Sequence, residues 1–147
     1  MITITIMGEP HPQGRPRCRK EGRFAKPYQH RKDADWKRDA AKQIIAQNDE
    51  SRPVFRSGIP LRVEIIFEFS CPKTDHRKRK PKPMRWHVKK KDIDNLAKAI
   101  LDAANGILWD DDGQIVILDC RKVIAAQGHE PRTTMRVSRA HYMNEEE

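Results

Sequence analysis

Residues 89 to 116, KKKDIDNLAKAILDAANGILWDDDGQIV, set aspartates on both sides of one apolar segment. Asp92 and Asp94 open it, Asp110, Asp111 and Asp112 follow it, and a single lysine, Lys98, lies between the two groups. Carboxylates brought to one place repel each other, and the arrangement is stable only when they share a cation. A hard divalent ion such as Mg²⁺ suits them, because it takes oxygen ligands, keeps several waters and completes its shell with substrate phosphate oxygens. Such an ion acidifies bound water and stabilises negative charge on a phosphoryl group in the transition state. Lys98 lies one turn after Asp94 on the same helical face, placed to offset developing charge or to orient the attacking water. The plainer reading is an Asp94-Lys98-Asp102 ladder on a solvated helix, with Asp102 as the partner of Lys98 and each pair worth a few tenths of a kcal/mol. Asp92 and Asp94 are then caps, and the triple aspartate a solvated turn. Capping occupies one aspartate, however, and leaves the others unexplained.

Whether the two acidic groups can meet depends on the elements that carry them. Ile93, Leu96, Ala97, Ile100, Leu101 and Ala104 recur at helical spacing and predict a helix over about 94–105, ended by Asn105-Gly106 in the left-handed region. A helix of that length is roughly 16 Å long. The chain from Gly106 to Asp112 spans about 23 Å when extended. It is long enough to return along the helix, although nothing in the spacing requires it to.

The charge elsewhere has the opposite sign. The chain of 147 residues carries 30 Lys and Arg against 21 Asp and Glu, a formal charge of +9. Two tracts, His11 to Lys32 and Lys73 to Lys91, hold eighteen of those cations. Concentration of this kind points to a polyanion, nucleic acid before any other, with Trp86 and His87 interleaved as stacking surfaces. A membrane surface is the rival polyanion, but no run of about 18 apolar residues exists, and the opening MITITIM reads as a strand, not as a signal peptide. Cys18, Cys71 and Cys120 are odd in number and lack any CxxC pattern. They read as reduced, mostly buried thiols of a cytoplasmic protein, associated with the nucleoid through its DNA, rather than as a disulfide framework or zinc ribbon.

One domain is expected from the length. Ile2, Ile4 and Ile6 alternate as in a half-buried strand, and Leu61 to Phe69 do so more clearly. A helix follows Asp33 or Asp35, either of which can cap it, and runs to about Asn48; strands are expected over Ile115 to Ala125 and Thr133 to Arg139. The tracts 11–32 and 73–91 read as basic loops, and 144–147 as a frayed acidic tail. The resulting order is β-α-β-α-β-β.

The segment quoted first resembles the signature of the RusA family of Holliday junction resolvases: basic residues, D-x-D-N, a lysine four residues after the second Asp, and W-x-DD-x-Q-[IV]. The early MGEPHPQGRPRCR is similar to the opening of phage-borne members. The resemblance implies a Mg²⁺-dependent homodimeric endonuclease, with Mn²⁺ as the substitute ion, nicking opposed strands of four-way junction DNA in recombination and repair and commonly encoded by prophages. It implies Asp92, Asp94 and Asp112 as metal-binding catalytic carboxylates, Asp111 as an additional acid and Lys98 as the catalytic cation. Aligning on Trp109 and Gln114 leaves Asp110 as surplus, and Lys91 stands where many members have proline. The implied fold is an α+β, two-layer α/β sandwich, a mixed β-sheet with helices packed on it. The DNA-binding residues are then expected to be Arg15, Arg17, Arg19 and Lys20 in the first tract, and Lys73, Arg77, Lys78, Arg79, Lys80, Lys89, Lys90 and Lys91 in the second.

Overall fold

Leu61, Val63, Ile65, Phe67 and Phe69 are buried in alternation, which makes β4 (Leu61–Phe69) an interior strand with one face on the core. In the computed structural model, which describes residues 1–14, 17–28, 30–48 and 52–142, β4 is the middle of a five-stranded mixed sheet. The order is β1 (Ile2–Met7), β7 (Arg132–Arg139), β4, β6 (Ile115–Ile124) and β5 (Arg85–Trp86). Only β4 and β6 run parallel, joined by a crossover that contains β5 and the second helix. The remaining pairs are antiparallel.

Helices α1 (Arg31–Ala46) and α2 (Ile93–Ala104) pack together over one face of this sheet. Four alanines of α2, at 97, 99, 103 and 104, are buried alongside Leu96 and Ile100, and their small side chains let the helix sit close to its neighbours. Trp109, fully buried, closes the core below the helix end. The opposite sheet face exposes Thr3, Arg62, Ile66, Arg121 and Arg136, so the molecule has two layers, as expected for an α+β sandwich. Among the described residues, no helix is long and apolar enough to cross a membrane.

Several local expectations need correction. The tract 11–32 is not loop throughout: β2 (Arg17–Glu21) and β3 (Phe24–Tyr28) form an antiparallel hairpin, closed at Gly22 with φ +60°. Its composition hid it, because the residues from Arg17 to Tyr28 show no apolar alternation. The tract 73–91 holds a single 3-10 turn (Lys73–Asp75) and β5. The order is therefore β-β-β-α-β-β-α-β-β. His30, not Asp33 or Asp35, caps α1, its Nδ1 accepting from the Lys32 N–H at 3.2 Å. At the end of α2, Asn105 is extended and Gly106 alone takes a positive φ, +78°. The tail 144–147 lies outside the described residues.

Candidate active site

Asp92 occupies the N-cap position of α2, yet its side chain makes no capping hydrogen bond; Asp94 follows in the first turn, and both are exposed. Capping therefore does not account for them. A helix N-terminus carries partial positive charge that favours carboxylates and other anions beside it. Lys98, one turn further and exposed, belongs to no ion pair among the described residues. Its expected partner Asp102 instead faces Lys37 of α1 at 3.7 Å, because the position two turns on points toward the neighbouring helix.

The later aspartates are held differently. Trp109 Nε1 donates to Asp112 Oδ1 at 2.7 Å, and the Gly113 N–H donates to Asp111 Oδ2 at 3.1 Å. Gln114, buried, accepts from the N–H groups of Asp110 and Asp111 at 2.9 and 3.0 Å and donates to the carbonyls of Arg56 and Ile59. The W-x-DD-x-Q spacing is thus a loop device: a buried indole and a buried amide fix the backbone that presents two carboxylates. A Cβ at Gly113 would lie 2.7 Å from Asp111 Oδ2, so a side chain there would displace that carboxylate.

The two acidic groups do not meet within one chain. The Gly106 N–H donates to the Trp109 carbonyl at 2.8 Å, so the connection turns tightly at the end of α2 instead of running back along it. Asp111 and Asp112 stay where β6 begins, while Asp92 and Asp94 sit where β6 ends, beside Lys122. Twelve residues of α2 separate the groups by about 18 Å. Among the described residues, no three His, Cys, Asp or Glu side chains are gathered to hold a metal ion.

The basic tracts converge on the Asp92 end. The Gln13 N–H donates to the Asn95 carbonyl of α2 at 3.0 Å, and the Gly14 N–H donates to Asp33 Oδ2 at 3.1 Å, so the root of the β2–β3 hairpin lies against the start of α2. Asp33 is buried and hydrogen-bonded to His11 Nε2 at 2.5 Å. Burial pushes the Asp33 carboxyl up, but the hydrogen bonds from His11 and Gly14 and the charges of His11 and His30 outweigh it and leave its pKa below the ordinary value of 3.8. The sequence reading missed this Asp33–His11 clamp, having assigned the aspartate to a cap.

The second tract is pinned as well. The Gln127 side chain accepts from the Arg77 and Lys82 N–H groups and donates to the Arg77 carbonyl, bracketing Arg77 to Lys82. Arg85 pairs with Asp75. His87 turns inward, its ring 4.5 Å from that of Phe69, so it is not the stacking surface expected. Burial and the charges of Lys122, Lys91 and Lys89 lower the His87 pKa below 6.5, keeping it neutral in a cationic corner. Lys20, Lys73, Arg77, Lys78, Arg79, Lys80, Lys89, Lys90 and Lys91 are all exposed. Arg17 and Arg19 lie on β2, and Arg15 falls outside the described residues.

The three cysteines differ in their surroundings. Cys18 is exposed, against expectation; Cys71 is buried; and burial with the nearby Asp119 charge pushes the Cys120 thiol up to about 11.

Comparison with known proteins follows the same residues. The chain is 28% identical over 141 residues to the uncharacterized protein YqaN of Bacillus subtilis (strain 168), a match covering 92% of this chain and 94% of that protein. A family model described as Endodeoxyribonuclease RusA matches residues 7–138, taking in the His11–Gly14 clamp, the Asp92–Lys98 turn of α2 and the Trp109–Gln114 loop. The chain belongs to the RusA endodeoxyribonuclease family.

Proposed function

We propose that this protein is a structure-selective DNA endonuclease that resolves Holliday junctions by Mg²⁺-dependent phosphodiester hydrolysis, working as a homodimer. The observation that carries this reading is the state of Asp92 and Asp94: exposed, at a helix N-terminus, and free of capping bonds at the end of the molecule where both basic tracts are anchored. Two oxygen-bearing side chains without competing partners among the described residues fit a hard dication, which needs only one or two carboxylates together with substrate phosphates. Asp92 and Asp94 would hold Mg²⁺ or its substitute Mn²⁺. When bound, the ion supplies Lewis-acid polarisation of the phosphate and a more acidic water. Lys98 faces the same ground, and its ammonium offsets negative charge that builds on the phosphoryl oxygens.

Asp111 and Asp112 join this site from a second protomer. Among the described residues, no strand lies beside β6 on its outer edge from Ile115 to Arg121, and Val116, Ile117 and Leu118 there are substantially exposed. A two-fold axis crossing β6 near its middle exchanges the two ends of the strand. It carries the partner's Asp111 and Asp112 to the end where this chain's Asp92 and Asp94 stand, and it generates two sites related as the opposed strands of a junction are. The exposed Lys and Arg of the two tracts then neutralise phosphates on either side.

Cleavage assays on four-way junction, flap and linear duplex at one salt concentration test the reading. The wild type should cut the junction in preference, and Asp94→Asn should lose on the order of 10³-fold in cleavage while keeping junction affinity within about threefold. Binding without cleavage by the wild type in Mg²⁺ or Mn²⁺ contradicts it and leaves a noncatalytic DNA- or RNA-binding module.

A further inference from the structure

In and around β5, residues 84 to 88 have their burial pattern turned inside out. Arg85 faces inward onto Asp75 and the Cys71 sulfur, and His87 faces inward onto Phe69. Met84, Trp86 and Val88 face solvent, 51%, 67% and 88% exposed. Successive side chains of extended chain point to opposite sides, so the three form one outward stripe with the indole at its centre. Half-burying two polar groups while three apolar ones stay exposed gives up hydrophobic stabilisation, and such a stripe marks a contact surface.

We propose that Trp86, with Met84 and Val88 on either side, is a stacking platform for an unstacked nucleobase of the DNA substrate. The charge around it selects the occupant. Lys80 and Lys82 lie on one side of the stripe in sequence and Lys89 and Lys90 on the other, while the acid of this tract, Asp75, is taken by Arg85. A second copy seated on the stripe would set these lysines against their own like, whereas a nucleotide offers a π face to the indole and a phosphate to the lysines. The location agrees. Trp86 pairs with Val123, next to Lys122, whose ammonium holds the Lys91 carbonyl just before Asp92. The inference rests on the junction reading above and deepens it: bases lose stacking partners at a branch point, and linear duplex offers none to the platform.

The test compares wild type, Trp86→Ala and Trp86→Phe in chelator at one salt concentration, measuring anisotropy on a four-way junction, a single-stranded oligonucleotide and a linear duplex, with sedimentation in parallel. Trp86→Ala should lose about tenfold in affinity for junction and single strand and less than about twofold for duplex, with Trp86→Phe recovering most of the loss. Unchanged affinities, or equal losses on all three DNAs, overturn the platform. So does a changed oligomeric state, which assigns the stripe to a second copy. The two proposals fail separately. A wild type that cuts no junction, together with selective single-strand loss in Trp86→Ala, removes the junction reading and keeps the platform; normal junction cutting with unaltered Trp86→Ala affinities does the reverse.

Discussion

The Lys122 ammonium donates to the Lys91 carbonyl at 2.7 Å, one residue before Asp92, and to the Lys89 carbonyl at 2.9 Å. Lys91 has φ +120°, a conformation that L side chains rarely adopt, so the turn into α2 is strained and Lys122 clamps it. Removing the clamp lets the turn relax and Asp92 shift. Lys122→Met should raise the Mg²⁺ concentration for half-maximal cleavage by about tenfold or more, the worth of hydrogen bonds from a charged donor, with junction affinity nearly unchanged. Lys122→Arg should recover part of it. A metal dependence identical to wild type in Lys122→Met contradicts a positioning role.

The far edge of the sheet is closed by side chains. Gln47 accepts from the Thr5 N–H at 2.9 Å and donates to the Thr5 carbonyl at 2.7 Å; Gln43 does the same for Met7 at 2.8 and 3.2 Å. Two amides, one in α1 and one at its C-cap, thus occupy Thr5 and Met7 of the edge that β1 would otherwise offer to another chain. Gln43→Leu with Gln47→Leu should cost about 1 kcal/mol per lost bond and promote self-association. Urea unfolding and concentration-dependent sedimentation measure both, and an unchanged midpoint speaks against the closure.

The β6 edge has the opposite character, because its apolar residues lie open. Leu118→Asp with Ile117→Asp puts charge where a second copy would pack and should give a monomer that retains its helix and sheet content by circular dichroism. Metal-dependent cleavage should fall with the dimer. A dimer that persists with both aspartates in place moves the interface elsewhere.

Stability in acid should report Asp33. Its folded pKa lies below the ordinary 3.8, so its contribution is present above pH 3.8 and is lost as the pH falls through the folded value. The difference in urea midpoint between wild type and Asp33→Asn should shrink as the pH falls below 3.8. A difference that persists unchanged into that range removes the linkage.

The helix stripe Ile93 to Ala104 and the alternation of Leu61 to Phe69 were legible because each buries one face, and burial writes periodicity into sequence. The β2–β3 hairpin was not, since Arg17 to Tyr28 carries no apolar alternation. Nor was β5, at two residues. Asp33 looked like a cap because a cap and a buried clamp use the same residue type, and only the fold brings His11 to it. The aspartates stood out by type, but their separation within one chain did not: chain length permitted the loop after Gly106 to return along α2, and the Gly106–Trp109 hydrogen bond spends it in a tight turn.

Mixing two inactive variants tests the shared site most directly. Asp94→Asn and Asp112→Asn should each be inactive alone, but a mixed dimer joins the unaltered Asp94 of one protomer to the unaltered Asp112 of the other and regains one site. Single-strand nicking of a four-way junction should reappear when the two proteins are unfolded and refolded together. If the mixture stays inactive while sedimentation shows that mixed dimers have formed, the two protomers do not share their carboxylates.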